Sequence, residues 1–91
     1  MNLSIRKLVN RMDLVELARS LVTNLVSNKE KVEINLVEEE NVKVVQILVS
    51  EDDMASVIGR GGSIANAIRT IVQAAAYTNK LGSVRVNIDT L

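Results

Sequence analysis

The chain has no cysteine, no histidine, no proline, no phenylalanine and no tryptophan, and Tyr77 is its one aromatic residue. Each absence excludes something. Without cysteine there is no disulfide, no thiolate metal site and no thiol nucleophile. Without histidine the commonest general acid/base and metal ligand is missing. With a single aromatic ring there is no stacking platform for single-stranded nucleic acid. No proline marks a stiff linker, and no apolar run approaches the roughly 20 residues of a membrane span. The opening stretch MNLSIRKLVNRMD lacks the unbroken apolar core and small-residue cleavage site of a secretory signal, which predicts a cytoplasmic protein.

What is present is the composition of a small globular protein, 47% hydrophobic and 24% charged over 91 residues. That length suits one domain, which buries only about 60–65% of its unfolded surface. Eleven basic groups balance eleven acidic ones. Zero net charge speaks against a polyanionic partner, but the distribution is uneven. Residues 28–53 carry eight acidic groups against Lys29, Lys31 and Lys43. Residues 54–91 carry Arg60, Arg69, Lys80 and Arg85 against Asp89 alone. The C-terminal part is the basic one.

Leu14, Leu17, Ala18, Leu21, Val22 and Leu25 form one apolar helical stripe. Asp13 with Glu16 resembles a capping box, and Asn28 is the expected stop. Upstream, Ile5, Leu8, Val9 and Met12 make a shorter stripe whose phase breaks at Asp13, so residues 1–12 read as a helical or frayed N-terminal extension. Val32, Ile34 and Leu36 alternate with Glu33 and Asn35, as in a half-buried strand. Glu39, Glu40 and Asn41 supply a turn. Val42 to Val49, VKVVQILV, is a more continuously apolar strand that suits a central position. Ser50, Asp52 and Asp53 suit the start of a short helix from Met54 to Ile58. A second helix opens near Ser63, with Ile64, Ala67, Ile68, Ile71, Val72 and Ala75 as its expected apolar face and Gly82 beyond its end. Tyr77 is expected as a partly buried anchor. Val84, Val86 and Ile88 alternate in a third strand. The order α-β-β-α-α-β predicts a two-layer α+β fold with the helices packed on one sheet face.

Between the two short-spaced helices stands VIGRGGSIANAI, residues 57–68, with three of the chain's four glycines. It is not a P-loop, which needs G-x-x-x-x-G-K-[ST], and Ile64 occupies the place of the third glycine of a dinucleotide fingerprint. What remains is helix, G-x-x-G, helix. Backbone without Cβ atoms can approach a ligand closely. The first-turn N–H groups of the following helix lack intrahelical partners and sit at the positive end of its dipole. Arg60 adds a charge that can fork onto phosphate. Spacing alone fits a phosphate contact and a tight helix–helix turn equally well.

The run VIGRGGSIANAIR resembles the signature of KH domains, in which a GXXG loop clamps the backbone of about four nucleotides. The α-β-β-α-α-β order is similar to the type II arrangement. The acidic residues before Met54, the VIG run, and Ala65 to Ala76 resemble the small bacterial single-KH RNA-binding proteins, KhpA-like or YlqC-like, over about residues 14–89. This resemblance implies a type II KH fold, with a three-stranded mixed sheet in which two strands run parallel, over residues 13–91. It implies that Gly59, Arg60, Gly61 and Gly62 form the clamp, with Val57 and Ile58 on an apolar groove wall and Ser63 and Ile64 opening the helix behind it. It implies a non-catalytic protein that binds single-stranded RNA without cofactor or metal. It also implies a homodimer, or pairing with a larger KH protein of the Jag type, and a global RNA-binding, RNA-chaperone role linked to cell shape and division. Two positions depart from the pattern. Ser56 stands where lysine is frequent, and Gly61 where a polar or charged residue is frequent, so the clamp carries one full positive charge.

Other candidates have plainer readings. Arg69, one turn beyond the loop, is either a further RNA contact or a solvated helix arginine. Asp52 and Asp53 suit helix capping better than paired catalytic carboxylates, because nothing stands with them as nucleophile or base. Ala65, Ala74, Ala75 and Ala76 permit close helix contact, in the core first and at a dimer face second. A protein-interaction module that holds a second KH protein, with weak RNA binding of its own, is the alternative function. For residues 1–12 a dimer extension, a membrane-surface contact through Arg6, Lys7 and Arg11, or a start at Met12 all fit.

Overall fold

A computed structural model describes residues 14–91. The expected helix start at Asp13 and the stripe in residues 1–12 lie outside the described residues. The elements are α1 (14–23), β1 (Glu33–Glu39), β2 (Val42–Val49), α2 (Met54–Ile58), α3 (Ser63–Thr78) and β3 (Val84–Thr90). The sheet order is β1-β2-β3, with β1 antiparallel and β3 parallel to the central strand. This is the α+β, type II KH arrangement.

The strands pair so that Ile34 faces Ile47 and Val86 faces Val45. One sheet face is therefore aliphatic. Onto it pack Leu14, Ala18 and Val22 of α1, Val57 of α2, and Ile68, Val72 and Ala76 of α3, in one buried cluster. The antiparallel pair needs only a two-residue turn, Glu40–Asn41, both at positive φ. The parallel pair needs a crossover, and residues 50–83 supply it by way of α2, the glycine loop and α3. The loop is thus held at a helix junction that the sheet pairing requires.

Several local expectations change. α1 ends at residue 23, not at Asn28. There Thr23 Oγ1 donates to the Arg19 carbonyl at 2.8 Å and Asn24 Nδ2 to the Ser20 carbonyl at 2.7 Å, so side chains take over the last carbonyls. α3 buries Ala65, Ile68, Val72 and Ala76, while Ala67 and Ile71 are exposed. Its core face is rotated from the one the periodicity predicts. Tyr77 is 82% exposed and anchors nothing. The stop for α3 is Lys80, at φ 61. The Leu81 N–H reaches the Ala76 carbonyl at 2.9 Å and the Lys80 N–H the Tyr77 carbonyl at 3.1 Å, a Schellman motif that ends before Gly82.

Among the described residues Asp53 is the one buried charged residue, and it does not cap α2. Its carboxylate accepts the Ser27 N–H at 2.9 Å, the Asn28 N–H at 3.0 Å and the Ser50 hydroxyl at 3.0 Å. It ties the segment after α1 to the segment before α2. The Ser27 and Asn28 N–H bonds hold its pKa below the ordinary 3.8, and burial opposes them without prevailing. Its folded pKa lies below its unfolded one, so its stabilisation is full above the unfolded value and is lost as pH falls through the folded value. We expect Asp53→Asn to melt at lower temperature than the native chain at pH 7. The gap between the two should close as pH falls below about 4. Melting curves from pH 7 to pH 2 measure it, and a gap that does not depend on pH would contradict the assignment.

Candidate nucleic-acid interface

α2 stops at Gly59, whose N–H closes the helix onto the Ala55 carbonyl at 3.0 Å. Gly59 then turns to φ 75, ψ 174, which aims the chain away from the helix axis. Arg60 to Gly62 make one 3-10 turn, with Gly61 at φ 60, ψ 22 and Gly62 at φ 79, ψ 12. Three consecutive-turn glycines with positive φ explain why the cluster is needed here.

The loop consumes some of its own donors. The Gly62 N–H bonds the Gly59 carbonyl at 3.2 Å, and the Ser63 N–H bonds the Arg60 carbonyl. Among the described residues the Arg60 and Gly61 amides make no backbone hydrogen bond, and no side chain caps the start of α3. The unoccupied donors therefore lie at the loop crest as well as behind it. Arg60 and Gly61 are exposed at that crest. A Cβ at Gly61 would meet nothing within 4 Å.

The other expected site residues separate into three groups. Val57 is fully buried, so it holds the loop from beneath and offers no groove surface. Ile58 and Ile64 are half-buried beside it, and Ser63 is exposed at the first position of α3. Arg69 is half-buried and engaged. Its Nε donates to the Val86 carbonyl at 3.2 Å and its Nη1 to Asn66 Oδ1 at 3.1 Å. It is neither a free helix arginine nor a second charge on the clamp crest. Asn66 escaped the sequence reading. Its amide lies 3.9 Å from where a Cβ on Gly62 would stand, so it flanks the loop, and its spacing four residues after Gly62 is the only signal it carries.

Among the described residues no group of three or more acidic side chains gathers as a metal site, and no helix is long and apolar enough to cross a membrane. A shallow depression lined by Tyr77, Thr78, Lys80 and Gly82 lies at the far end of α3 from the loop.

The chain is similar to known proteins over most of its length. RNA-binding protein KhpA of Borreliella burgdorferi is 40% identical over 67 residues, 72% of this chain and 82% of that protein. The KhpA of Oceanobacillus iheyensis is 42% identical over 74 residues, covering 80% and 93%. That of Clostridium perfringens is 44% identical over 61 residues, covering 67% and 81%. Among solved structures, Aquifex aeolicus Era bound to GDP.AlF4- superposes with a TM-score of 0.60 at 18% identity. The match covers 89% of this chain but 31% of that one, and it speaks to the fold alone. The model of the KhpA/KhpB KH domain matches residues 15–88, which take in β1, β2, α2, α3 and the whole of the loop with most of α1 and β3, and the chain belongs to that family.

Proposed function

We propose that this chain binds single-stranded RNA through the Gly59–Gly62 loop, without catalysis, and that it acts as a dimer. The observation that carries the reading is the loop crest. Two N–H groups without backbone partners among the described residues and an exposed arginine stand together at the positive end of α3. The relatives' names as RNA-binding proteins support it. Gly59 and Gly62 frame the loop, Arg60 contacts phosphate, Ser63 and Ile64 form the helix start behind it, and Ile58 lines the exposed wall. Val57 acts through the fold. Arg69 contributes by tying α3 to the edge of β3. A single full charge predicts weak, shallowly salt-dependent binding. With about two phosphates engaged, log K should fall against log salt with a slope near −1.5. Fluorescence titration of a single-stranded oligoribonucleotide at several salt concentrations tests it. Binding that is absent, or a slope of about −5 that demands many contacts, would contradict it.

The dimer rests on α3. Ala67, Thr70, Ile71, Ala74, Tyr77 and Thr78 are all exposed along it, with Ile71 43% open to solvent. Small residues beside one branched apolar residue and one ring suit close packing of two helices. A second copy, or a larger KH protein of the Jag type, would cover this face and double the number of clamps. Ile71→Glu should convert a dimer to a monomer in sedimentation without loss of helix signal, and should weaken RNA binding at low protein concentration. A dimer that survives the change would remove α3 from the interface.

The second reading is a protein-holding module whose RNA grip is shared with its partner. The lone clamp arginine and the exposed α3 face favour it. RNA binding seen only in the partnered complex, and not with the isolated chain at high micromolar concentration, would select it. The linked roles in RNA chaperoning, cell shape and division would follow from either reading.

A further inference from the structure

The sheet has two free edges, and they are treated differently. On β3, the Leu91 N–H bonds the Val49 carbonyl at 2.9 Å. By the alternation of a parallel ladder, Val84, Val86, Ile88 and Thr90 turn their backbone groups outward. Side chains bond one outward group on each of Val84, Val86 and Thr90. Gln73 Nε2 donates to the Val84 carbonyl at 3.2 Å, Arg69 Nε to the Val86 carbonyl at 3.2 Å, and the Thr90 N–H donates to Asp89 Oδ1 at 2.8 Å. This is how a sheet guards an edge.

Among the described residues β1 lacks such guards. Glu39 pairs with Val42 across the two-residue turn, so that pair exchanges ladder bonds, as do Val37, Asn35 and Glu33 in alternation. Ile34, Leu36 and Glu38 therefore turn their N–H and carbonyl groups outward. Among the described residues no side chain bonds any of them. Leu36 is 39% exposed on one side of the strand and Val37 37% exposed on the other. Open backbone and apolar surface thus coincide in mid-strand.

The charge around this edge selects the occupant. Glu38 stands opposite Lys43, but Glu33 and Glu39 face Leu48 and Val42, and Glu40 follows in the turn. A second copy pairing antiparallel through β1 would bring these carboxylates together, which is destabilising. We propose that the β1 edge binds an extended, basic peptide segment by strand addition, with lysine or arginine placed against Glu33 and Glu39 and β-branched residues against Leu36 and Val37. The partner's backbone supplies the pairing and the charges supply the selection. This surface does not depend on the RNA clamp.

A random octapeptide library displayed on phage and panned on the immobilised full chain tests the proposal. Enriched peptides should alternate Lys or Arg with Val, Ile or Thr. Bound to the labelled protein, they should shift the amides of Ile34, Leu36 and Glu38. Leu36→Pro removes an outward N–H and leaves the β1–β2 ladder whole. It should weaken binding about tenfold, as expected for a lost bond and a blocked edge. Should that variant fail to fold, the double change Glu33→Lys with Glu39→Lys spares the backbone and should also abolish selection. No enrichment, enrichment without basic residues, shifts centred on residues 59–64 or on α3, or sedimentation showing that β1 pairs two copies would each overturn it.

Discussion

Gly59→Ala should cost about 3 kcal/mol of stability, whereas Gly61→Ala, two residues away, should cost about 1. Both glycines sit at positive φ, 75 and 60, but Gly61, at ψ 22, lies in the left-handed helical region, where an L-residue costs roughly 1–2 kcal/mol, and Gly59, at ψ 174, lies in a region that is essentially confined to glycine, where the cost is about 1–3 kcal/mol. Only Gly59 adds a collision. Its Cβ would stand 2.6 Å from Ile64 Cγ1, 2.9 Å from Ile64 Cβ and 2.9 Å from the Ile64 backbone nitrogen. The first contact could yield by a rotamer change, but the backbone contact moves only if α3 moves. Overpacking of this kind adds about 1–3 kcal/mol. Urea unfolding of the two variants side by side gives the answer. In a chain of this size the Gly59 variant should melt more than about 10 °C below the native protein. Equal losses at the two positions would show that φ, and not the Ile64 contact, sets the requirement.

The double change Arg60→Asp with Gly61→Asp should remove RNA crosslinking and leave circular dichroism and melting nearly unchanged. Both positions are exposed, and the space beside Gly61 is empty to 4 Å. Aspartate is among the side chains that best tolerate left-handed backbone. The fold therefore loses about 1 kcal/mol at most. The site loses much more. One charge-assisted bond to phosphate disappears, worth about 1.5–3 kcal/mol, and two carboxylates are set against the same phosphates at about 1 kcal/mol each. Together these lower affinity at least a hundredfold on the order-of-magnitude scale. Crosslinking that persists in a folded variant would take the clamp away from this loop.

The sequence makes the junction legible because its signals are of one kind. Gly59 stops α2, and Ser63 starts α3 within the range that turn chemistry allows. The Glu40–Asn41 hairpin and the central place of VKVVQILV follow from composition at the same level. Tertiary choices were not legible. α3 carries Ile64, Ile68, Ile71 and Val72 among alanines, so apolar residues occupy more than one face. Which face is buried depends on the approach of the sheet, which brings Ala65 and Ala76 inward and leaves Ile71 out. Asp53 looks like a cap because it stands in a first turn. Its actual partners, Ser27 and Asn28, lie some 25 residues earlier in the chain, and no local pattern announces a contact at that distance. Arg69 likewise reads from the sequence as an RNA contact or a solvated helix arginine, and its bond to the Val86 carbonyl emerges only once β3 is placed beside α3.

The most direct test of the RNA reading is residue-resolved. The amide spectrum of the labelled chain is recorded while an unstructured oligoribonucleotide is titrated in. The largest shifts should fall on Gly59, Arg60, Gly61, Gly62, Ser63 and Ile64, with the β1 amides unmoved. Shifts spread over another surface, or a loop that stays silent while RNA binds elsewhere, would contradict it.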